Sequence, residues 1–328
     1  MTTRQSVRFF YGAAHEQFPP DDLLRQAIEA EDAGFDGVAC SDHFQPWWEP
    51  GESGMAWVWL GAAGQATRRV SIGTAVTPAL SRYHPALVAQ AWATLEVLFP
   101  GRTFLGIGSG ESLNESPLGL DWPPPAEQLA AMTEALELIR RLFAGERVTH
   151  DGHFRTKDAY LHTRPERTPP IYVSAFHEGA AQVAARLGDG LWTLADPESA
   201  PELIETYRAA CDDAGKEPGE IVLQAQFSWA SDDDAALEGA RVWKGAQPDE
   251  FYTDDWHDPR AMQAHAAATV TDEELKDALV VSADPDEHVE RIKEIEELGA
   301  TIVALMNVSG ADPHGAIATY RDHVLPRL

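Results

Sequence analysis

Cysteine is nearly absent from this chain of 328 residues: Cys40 and Cys211 are its two. They form neither a disulfide framework nor a metal-binding spacing, and both are expected to be buried thiols. Lysine is scarce, five of 25 basic residues, against 53 Asp and Glu, and the formal net charge is −28. So acidic a surface repels nucleic acid and anionic membranes, which excludes both as partners. No apolar run approaches the ~20 residues a membrane-spanning helix needs. The opening MTTRQSVRFF lacks the charged and apolar regions of a secretory leader, so a cytoplasmic protein is expected. The histidines lack HxxxH or Cys/His zinc spacings, so no metal is expected. No P-loop and no GxSxG elbow occurs.

What is present is regular alternation. Strands are expected at Val7–Tyr11, Gly37–Ser41, Val70–Val76, Thr103–Ile107, Ile171–Ala175, Gly190–Thr193, Ile221–Phe227 and Thr301–Met306. Helices are expected at Asp21–Ala33, closed by Gly34, at Pro85–Phe99, at Ala126–Phe143, and near 177–187, 200–214, 285–298 and 313–323. Such alternation implies a parallel sheet, and these strand signals fit a closed (β/α)8 TIM barrel. A doubly wound open sheet usually shows GxGxxG after its first strand; here that turn reads Gly12-Ala13-Ala14-His15-Glu16. Residues 230–277 break the pattern with acidic residues and Trp, Tyr and His. They read as an insertion over the C-terminal mouth of one domain spanning 1–328, since segments that long tend to be functional.

In a barrel the chemistry sits at the C-terminal ends of the strands. Ser41-Asp42-His43-Phe44-Gln45-Pro46-Trp47 places an acid, an imidazole and an indole at one such end. His43 could act as a general base near neutral pH, with Asp42 orienting it or contacting a ligand, or the pair could be a capping Asp and a satisfied loop His. Gly106-Ile107-Gly108-Ser109-Gly110-Glu111 carries three glycines that allow close backbone approach to a flat or anionic ligand; the alternative is a tight turn, with Glu111 as a first-turn acid. Ala175-Phe176-His177 precedes a helix whose free amides suit a phosphate, although Glu178 opposes an anion there. Of the tryptophans, only Trp47 is singled out, for its closeness to His43; Trp48, Trp57, Trp59 and Trp92 read as packing.

Taken together, His15-Glu16-Gln17-Phe18, Ser41–Trp47, Gly73–Val76, Arg82-Tyr83-His84-Pro85, Gly108-Ser109-Gly110-Glu111 with Asn114-Glu115, Gly188-Asp189-Gly190 and Asp284-Pro285-Asp286-Glu287 resemble the coenzyme F420-dependent members of the bacterial-luciferase-like barrel family. The order and spacing hold over residues 8–195 and 279–328. The resemblance implies a deazaflavin, coenzyme F420, in the barrel mouth of a homodimeric dehydrogenase. His43 then takes the substrate hydroxyl proton, the carbinol carbon passes hydride to the ring, Glu111 protonates the reduced ring, and Trp47 steadies the developing charge. Asp42, Ala75, Val76, Ser109, Gly110, Asn114, Ala175, Phe176 and His177 match cofactor positions, with a non-proline cis peptide at Ala75-Val76. Glu16 and Trp47 match the substrate pocket.

The sugar-phosphate enzymes of the family hold their substrate with two Lys and one Arg. The matching positions here are Asp196, Thr253 or a neighbour, and Ala278. An acid and neutral residues do not hold a dianion, although Lys244 or Arg260 could compensate. A secondary alcohol or an unphosphorylated sugar is therefore the expected substrate. A sugar phosphate is the alternative, and an FMN-dependent monooxygenase a more distant one.

Acids are dispersed along the chain, as in Asp232-Asp233-Asp234 and Asp272-Glu273-Glu274. Dispersed acid with little lysine suits a halophile's cytosol, where salt screens the self-repulsion. The melting temperature is therefore expected to rise between low and molar KCl; an unchanged value would reject a halophilic setting.

Overall fold

The computed structural model describes residues 6–310 and 312–328. Eight parallel strands close on themselves: β1 (Arg8–Ala13), β2 (Gly37–Cys40), β3 (Ser71–Thr74), β4 (Thr103–Gly108), β5 (Ile171–Ser174), β6 (Gly190–Leu194), β7 (Glu220–Ser228) and β8 (Ile302–Asn307). Each pairs with the next, and β8 pairs with β1 with Phe10 opposite Ala304, which completes the (β/α)8 barrel.

Side chains alternate across each strand, so the barrel has an inner and an outer core. Phe10, Ala39, Phe104, Tyr172, Trp192, Val222, Ile302 and Ala304 fill the interior. Phe104 is central there, with its ring 5.3 Å from Phe10 and 5.6 Å from Tyr172. The outer faces pack under α1 (Pro20–Ala33), α2 (Ala56–Ala66), α3 (Pro85–Leu98), α4 (Pro125–Phe143), α5 (Glu178–Leu187), α6 (Ala200–Asp213), α7 (Pro285–Glu297) and α8 (Pro313–Thr319). Gly34 ends α1 at φ 103, a left-handed conformation that glycine adopts without strain. Both cysteines are buried and free. Among the described residues, no helix is long and apolar enough to cross a membrane, and no cluster of His, Cys, Asp and Glu could hold a metal ion.

Three expectations need correction. The strand expected at Val70–Val76 stops at Thr74. The Ala75–Val76 peptide is cis, and Thr77–Pro78 then rejoins β4. Glycine makes this fold-back possible. A Cβ on Gly106 would lie 2.0 Å from the Thr74 carbonyl oxygen, and one on Gly73 would lie 2.2 Å from the Phe104 carbonyl oxygen. Second, α2 had no counterpart in the expected pattern. Its residues AWVWLGAAGQA are apolar almost all round and show no polar face to signal a period. Third, the 230–277 segment is mostly helical, at Asp233–Ala240, Arg241–Ala246, Glu250–Thr253, Pro259–Thr269 and Asp272–Ala278.

That segment lies over the C-terminal mouth. Gln45 Nε2 donates to the His257 carbonyl at 3.0 Å, the Ser112 hydroxyl to the Trp256 carbonyl at 2.7 Å, and Trp243 Nε1 to Gln17 Oε1 at 2.9 Å. The Trp48 and Trp243 rings meet edge to face, 5.0 Å apart.

Candidate active site

The loops after β1, β2 and β4 converge at the mouth. His43, on the β2 loop, is the meeting point. Its Nε2 lies 3.4 Å from Glu16 Oε1, from the β1 loop, and 3.5 Å from Glu111 Oε2, from the β4 loop. Its ring stands 5.3 Å from the Trp47 ring, and its carbonyl accepts from the Ser53 hydroxyl at 2.7 Å. Glu16 is buried and receives the Ser41 hydroxyl at 2.6 Å. Glu111 is 22% exposed at the mouth. Burial pushes its carboxyl above the ordinary carboxylate range, the Glu16 charge adds to the rise, and His43 opposes it.

Asn114 joins two of these loops. Its Oδ1 receives the Phe44 backbone N–H at 2.7 Å and that of Gln45 at 3.3 Å. Its Nδ2 donates to Glu111 Oε2 at 2.8 Å and lies 3.4 Å from His43 Nδ1.

Asp42 does not orient the His43 ring. Its carboxylate is buried and met by four donors: Trp57 Nε1 at 3.1 Å, the Thr77 hydroxyl at 2.8 Å, Arg82 at 3.2 Å and the Tyr83 hydroxyl at 3.2 Å. Arg82 also donates to the Asp42 carbonyl at 2.6 Å, and its own backbone N–H donates to Glu115 Oε2 at 2.7 Å. Glu115 is fully buried and its Oε1 has no hydrogen-bond partner. Burial pushes this carboxyl up to about 7, although Arg82 pulls it down.

At the top of the barrel interior, small residues meet larger ones. Gly12, Ala39, Ala75 and Ala304 border one space with Trp192, Gln224 and Met306, and Val76 packs beside Ala75. Ser109 and Gly110 follow β4. Gly110 has φ 87, and a Cβ on Gly108 would lie 2.8 Å from Val76 Cγ2. The chemistry of these strand ends, small groups at Ala75, Ser109 and Gly110 beside the His43 imidazole and the Glu111 carboxyl, is of the kind a deazaflavin ring would need. Across the mouth, Ala175 is buried while Phe176 and His177 are exposed at the start of α5. The edge of the Phe176 ring meets Tyr252, 6.0 Å away.

Of the residues expected in the site, the structure brings His43, Glu16, Trp47, Glu111 and Asn114 to one point and leaves Ala175, Phe176 and His177 apart from them. The sequence reading grouped them all. It missed Tyr252 and Trp57. Tyr252 roofs Trp47 at 5.3 Å and donates its hydroxyl to the Ala246 carbonyl at 2.8 Å. Burial holds that hydroxyl far above its ordinary titration, with Glu111 and Glu16 nearby adding to the rise. No local pattern announced Tyr252. Trp57 was missed because α2 was missed.

The model of the family described as luciferase-like monooxygenase matches residues 3–301. An F420-dependent glucose-6-phosphate dehydrogenase of Microbacterium testaceum is 40% identical over 98% of this chain and 97% of its own length. One of Beutenbergia cavernae is 41% identical over 98% and 97%. Among solved structures, an F420-dependent secondary alcohol dehydrogenase in complex with an F420-acetone adduct superposes with a TM-score of 0.93 and 34% identity, over 98% of both chains. The chain belongs to the luciferase-like barrel family.

Proposed function

We propose that this protein is a coenzyme F420-dependent dehydrogenase that oxidises a carbinol, a secondary alcohol or an unphosphorylated sugar. The observation that carries the reading is the His43 ring held between Glu16 and Glu111 at the strand ends. The similarity to F420-dependent dehydrogenases of a secondary alcohol and of a sugar phosphate supports the oxidation of a carbinol. When bound, the deazaflavin supplies a hydride acceptor, so the protein need only orient the carbinol and manage two protons. Ala75, Val76, Ser109 and Gly110 would hold the ring. Asp42 and Asn114 would brace it through their networks, and Ala175, Phe176 and His177 would hold the far end of the cofactor.

The chain's own groups divide the proton work. His43 and Glu16 face the place of the substrate hydroxyl and form the pair that manages its proton. Trp47 closes that side and lies against Tyr252. Glu111, kept protonated to higher pH by burial, is the acid that serves the ring.

The absence of a phosphate clamp argues for a neutral substrate. Asp196 is tied to Ser199 and to the Glu198 backbone. Lys244 pairs with Asp272 at 2.8 Å, and Arg260 pairs with Asp258 at 3.0 Å. Both compensating cations are therefore engaged with carboxylates of their own segment. The similarity to glucose-6-phosphate dehydrogenases keeps the sugar phosphate as a second substrate to test.

The protein is further proposed to act as a homodimer through α2 and α3. No charged residue occurs in α2, and the one in α3, Glu96, is buried and bonded to Thr103. Val58 is 71% exposed, Leu87 55% and Leu98 60%. A chain of net charge −28 that shows two outward helix faces without an acid has reason to cover them with a second copy. The acid-rich remainder supports a salt-rich cytosol as its setting.

Purified protein, F420 and a panel of alcohols, sugars and glucose 6-phosphate in high salt should bleach the oxidised deazaflavin with an unphosphorylated carbinol. Bleaching with the phosphate alone would overturn the neutral-substrate assignment. In the same assay His43→Ala should lose about 10²–10⁴-fold in kcat while keeping F420 affinity. The alkaline limb of the wild-type kcat profile belongs to Glu111 and should lie above the ordinary carboxyl range, because the acid form survives until the raised pKa is passed; it should vanish in Glu111→Gln. Separately, Val58→Glu combined with Leu87→Glu should yield a monomer by light scattering with the fold intact; an unchanged oligomeric state would place the interface elsewhere.

A further inference from the structure

We propose that Asn114 is a positioning residue that holds neutral His43 with its proton on Nε2, so that His43 donates to the substrate oxygen and Glu16 takes the hydroxyl proton. The proposal rests on the carbinol reading above, which puts the substrate oxygen beside His43.

The argument starts from the orientation of one amide. Asn114 Oδ1 receives the backbone N–H groups of Phe44 at 2.7 Å and Gln45 at 3.3 Å. A backbone N–H can only donate, so this end of the amide is the oxygen and the other is the NH2 group. That NH2 donates to Glu111 Oε2 at 2.8 Å and meets His43 Nδ1 at 3.4 Å. An amide NH2 has no lone pair to offer, so Nδ1 must present its own. In a neutral imidazole one nitrogen carries the proton and the other the lone pair. The proton of His43 therefore sits on Nε2.

The charged surroundings agree. Nε2 faces Glu16 Oε1 at 3.4 Å, and a carboxylate oxygen favours a proton on the nitrogen it faces. Of the other titratable neighbours, burial drives His15 on the β1 loop toward its neutral form, with its Nδ1 engaged by the Gly54 carbonyl at 2.9 Å, and burial keeps the Tyr252 hydroxyl protonated. A second proton on His43 would sit on Nδ1 and point at the Asn114 NH2, donor against donor.

A ring with its proton on Nε2 has no lone pair for the substrate hydroxyl. Glu16 is the acceptor that remains at that point. Its Oε2 is held by the Ser41 hydroxyl at 2.6 Å, and Ser41 is fixed by the His15 backbone N–H at 3.0 Å. No hydrogen bond engages Oε1, which faces the ring. In the oxidation, the hydroxyl O–H bond breaks and its proton passes to Glu16 Oε1. The electron pair it leaves forms the second carbon–oxygen bond as the carbinol hydrogen departs with its own pair to the deazaflavin. The Nε2–H meanwhile stabilises charge on the oxygen without changing hands. This is a neutral histidine acting as a hydrogen-bond donor rather than as a base.

The test reads the tautomer directly. The full-length protein with isotope-labelled histidine is studied by nitrogen NMR without cofactor, above the titration of histidine, and His43 is assigned by the signals lost in His43→Gln. The expected result is a lone-pair signal from Nδ1 and a protonated signal from Nε2. Asn114→Asp keeps the acceptor for Phe44 and Gln45 but puts an oxygen at Nδ1, and should move the proton to Nδ1. A wild-type proton on Nδ1, or an Asn114→Asp protein with the wild-type tautomer, would overturn the proposal. In turnover, Glu16→Gln should lose about 10²–10⁴-fold in kcat with deazaflavin binding kept, and Glu16→Asp should recover part of it. Undiminished kcat in Glu16→Gln would overturn the proton assignment. The NMR experiment needs no cofactor, so its failure would leave the dehydrogenase reading intact. Failure of every carbinol to reduce F420 with wild-type protein would remove that reading instead.

Discussion

The mouth of this barrel depends on one buried carboxylate. Asp42 ends β2 with both oxygens inside the protein, where an unpaired charge would cost several kcal/mol. Four donors offset that cost, from Trp57 on α2, Thr77 after the cis peptide, and Arg82 and Tyr83 before α3. Three consecutive strand–helix units are thereby tied to one point. Arg82 carries the connection on to Glu115 and so to the β4 loop. With the loop base fixed in this way, Asn114 can hold its tip, and His43 arrives between two carboxylates.

Most of this architecture was legible in the chain. Each of the eight barrel strands was bounded to within a few residues, because short apolar runs between amphipathic helices leave few alternatives. His43 and Glu111 stood out at strand ends, with a loop His and a first-turn acid as the alternatives, and Glu16 only through the family resemblance; the structure brings the three side chains together. The exceptions have physical causes. The helix Ala56–Ala66 has no polar face, so periodicity could not reveal it. Local hydrophobicity made Ala75–Val76 read as continued strand, because a fold-back made possible by Gly73 and Gly106 leaves no mark there; only the family resemblance pointed to the cis peptide that the structure has. Tyr252 reaches the site from an inserted segment more than a hundred residues beyond Glu111, and long-range packing of that kind is invisible to local pattern. Asp42 was seen as a neighbour of His43, yet its partners come from three other segments and turn it away from the ring.

Charge organises the rest. The surface is strongly acidic, but α2 and α3 show faces without acids. The mouth gathers carboxylates around one imidazole, while Lys244 and Arg260 are paired within their own segment. Burial keeps the Glu111 carboxyl protonated to higher pH. Opposite protonation of two nearby groups is what hydride removal from an alcohol requires of a protein.

In the proposed function the carbinol hydrogen would pass directly to a deazaflavin held in this mouth. The most direct measurement is a single turnover with F420 and a carbinol deuterated at the reacting carbon, followed by NMR of the reduced ring. The deuterium should appear on the ring at full occupancy, and none should enter from deuterated water with unlabelled substrate. Deuterium found in the solvent instead, or a ring left unlabelled, would contradict it.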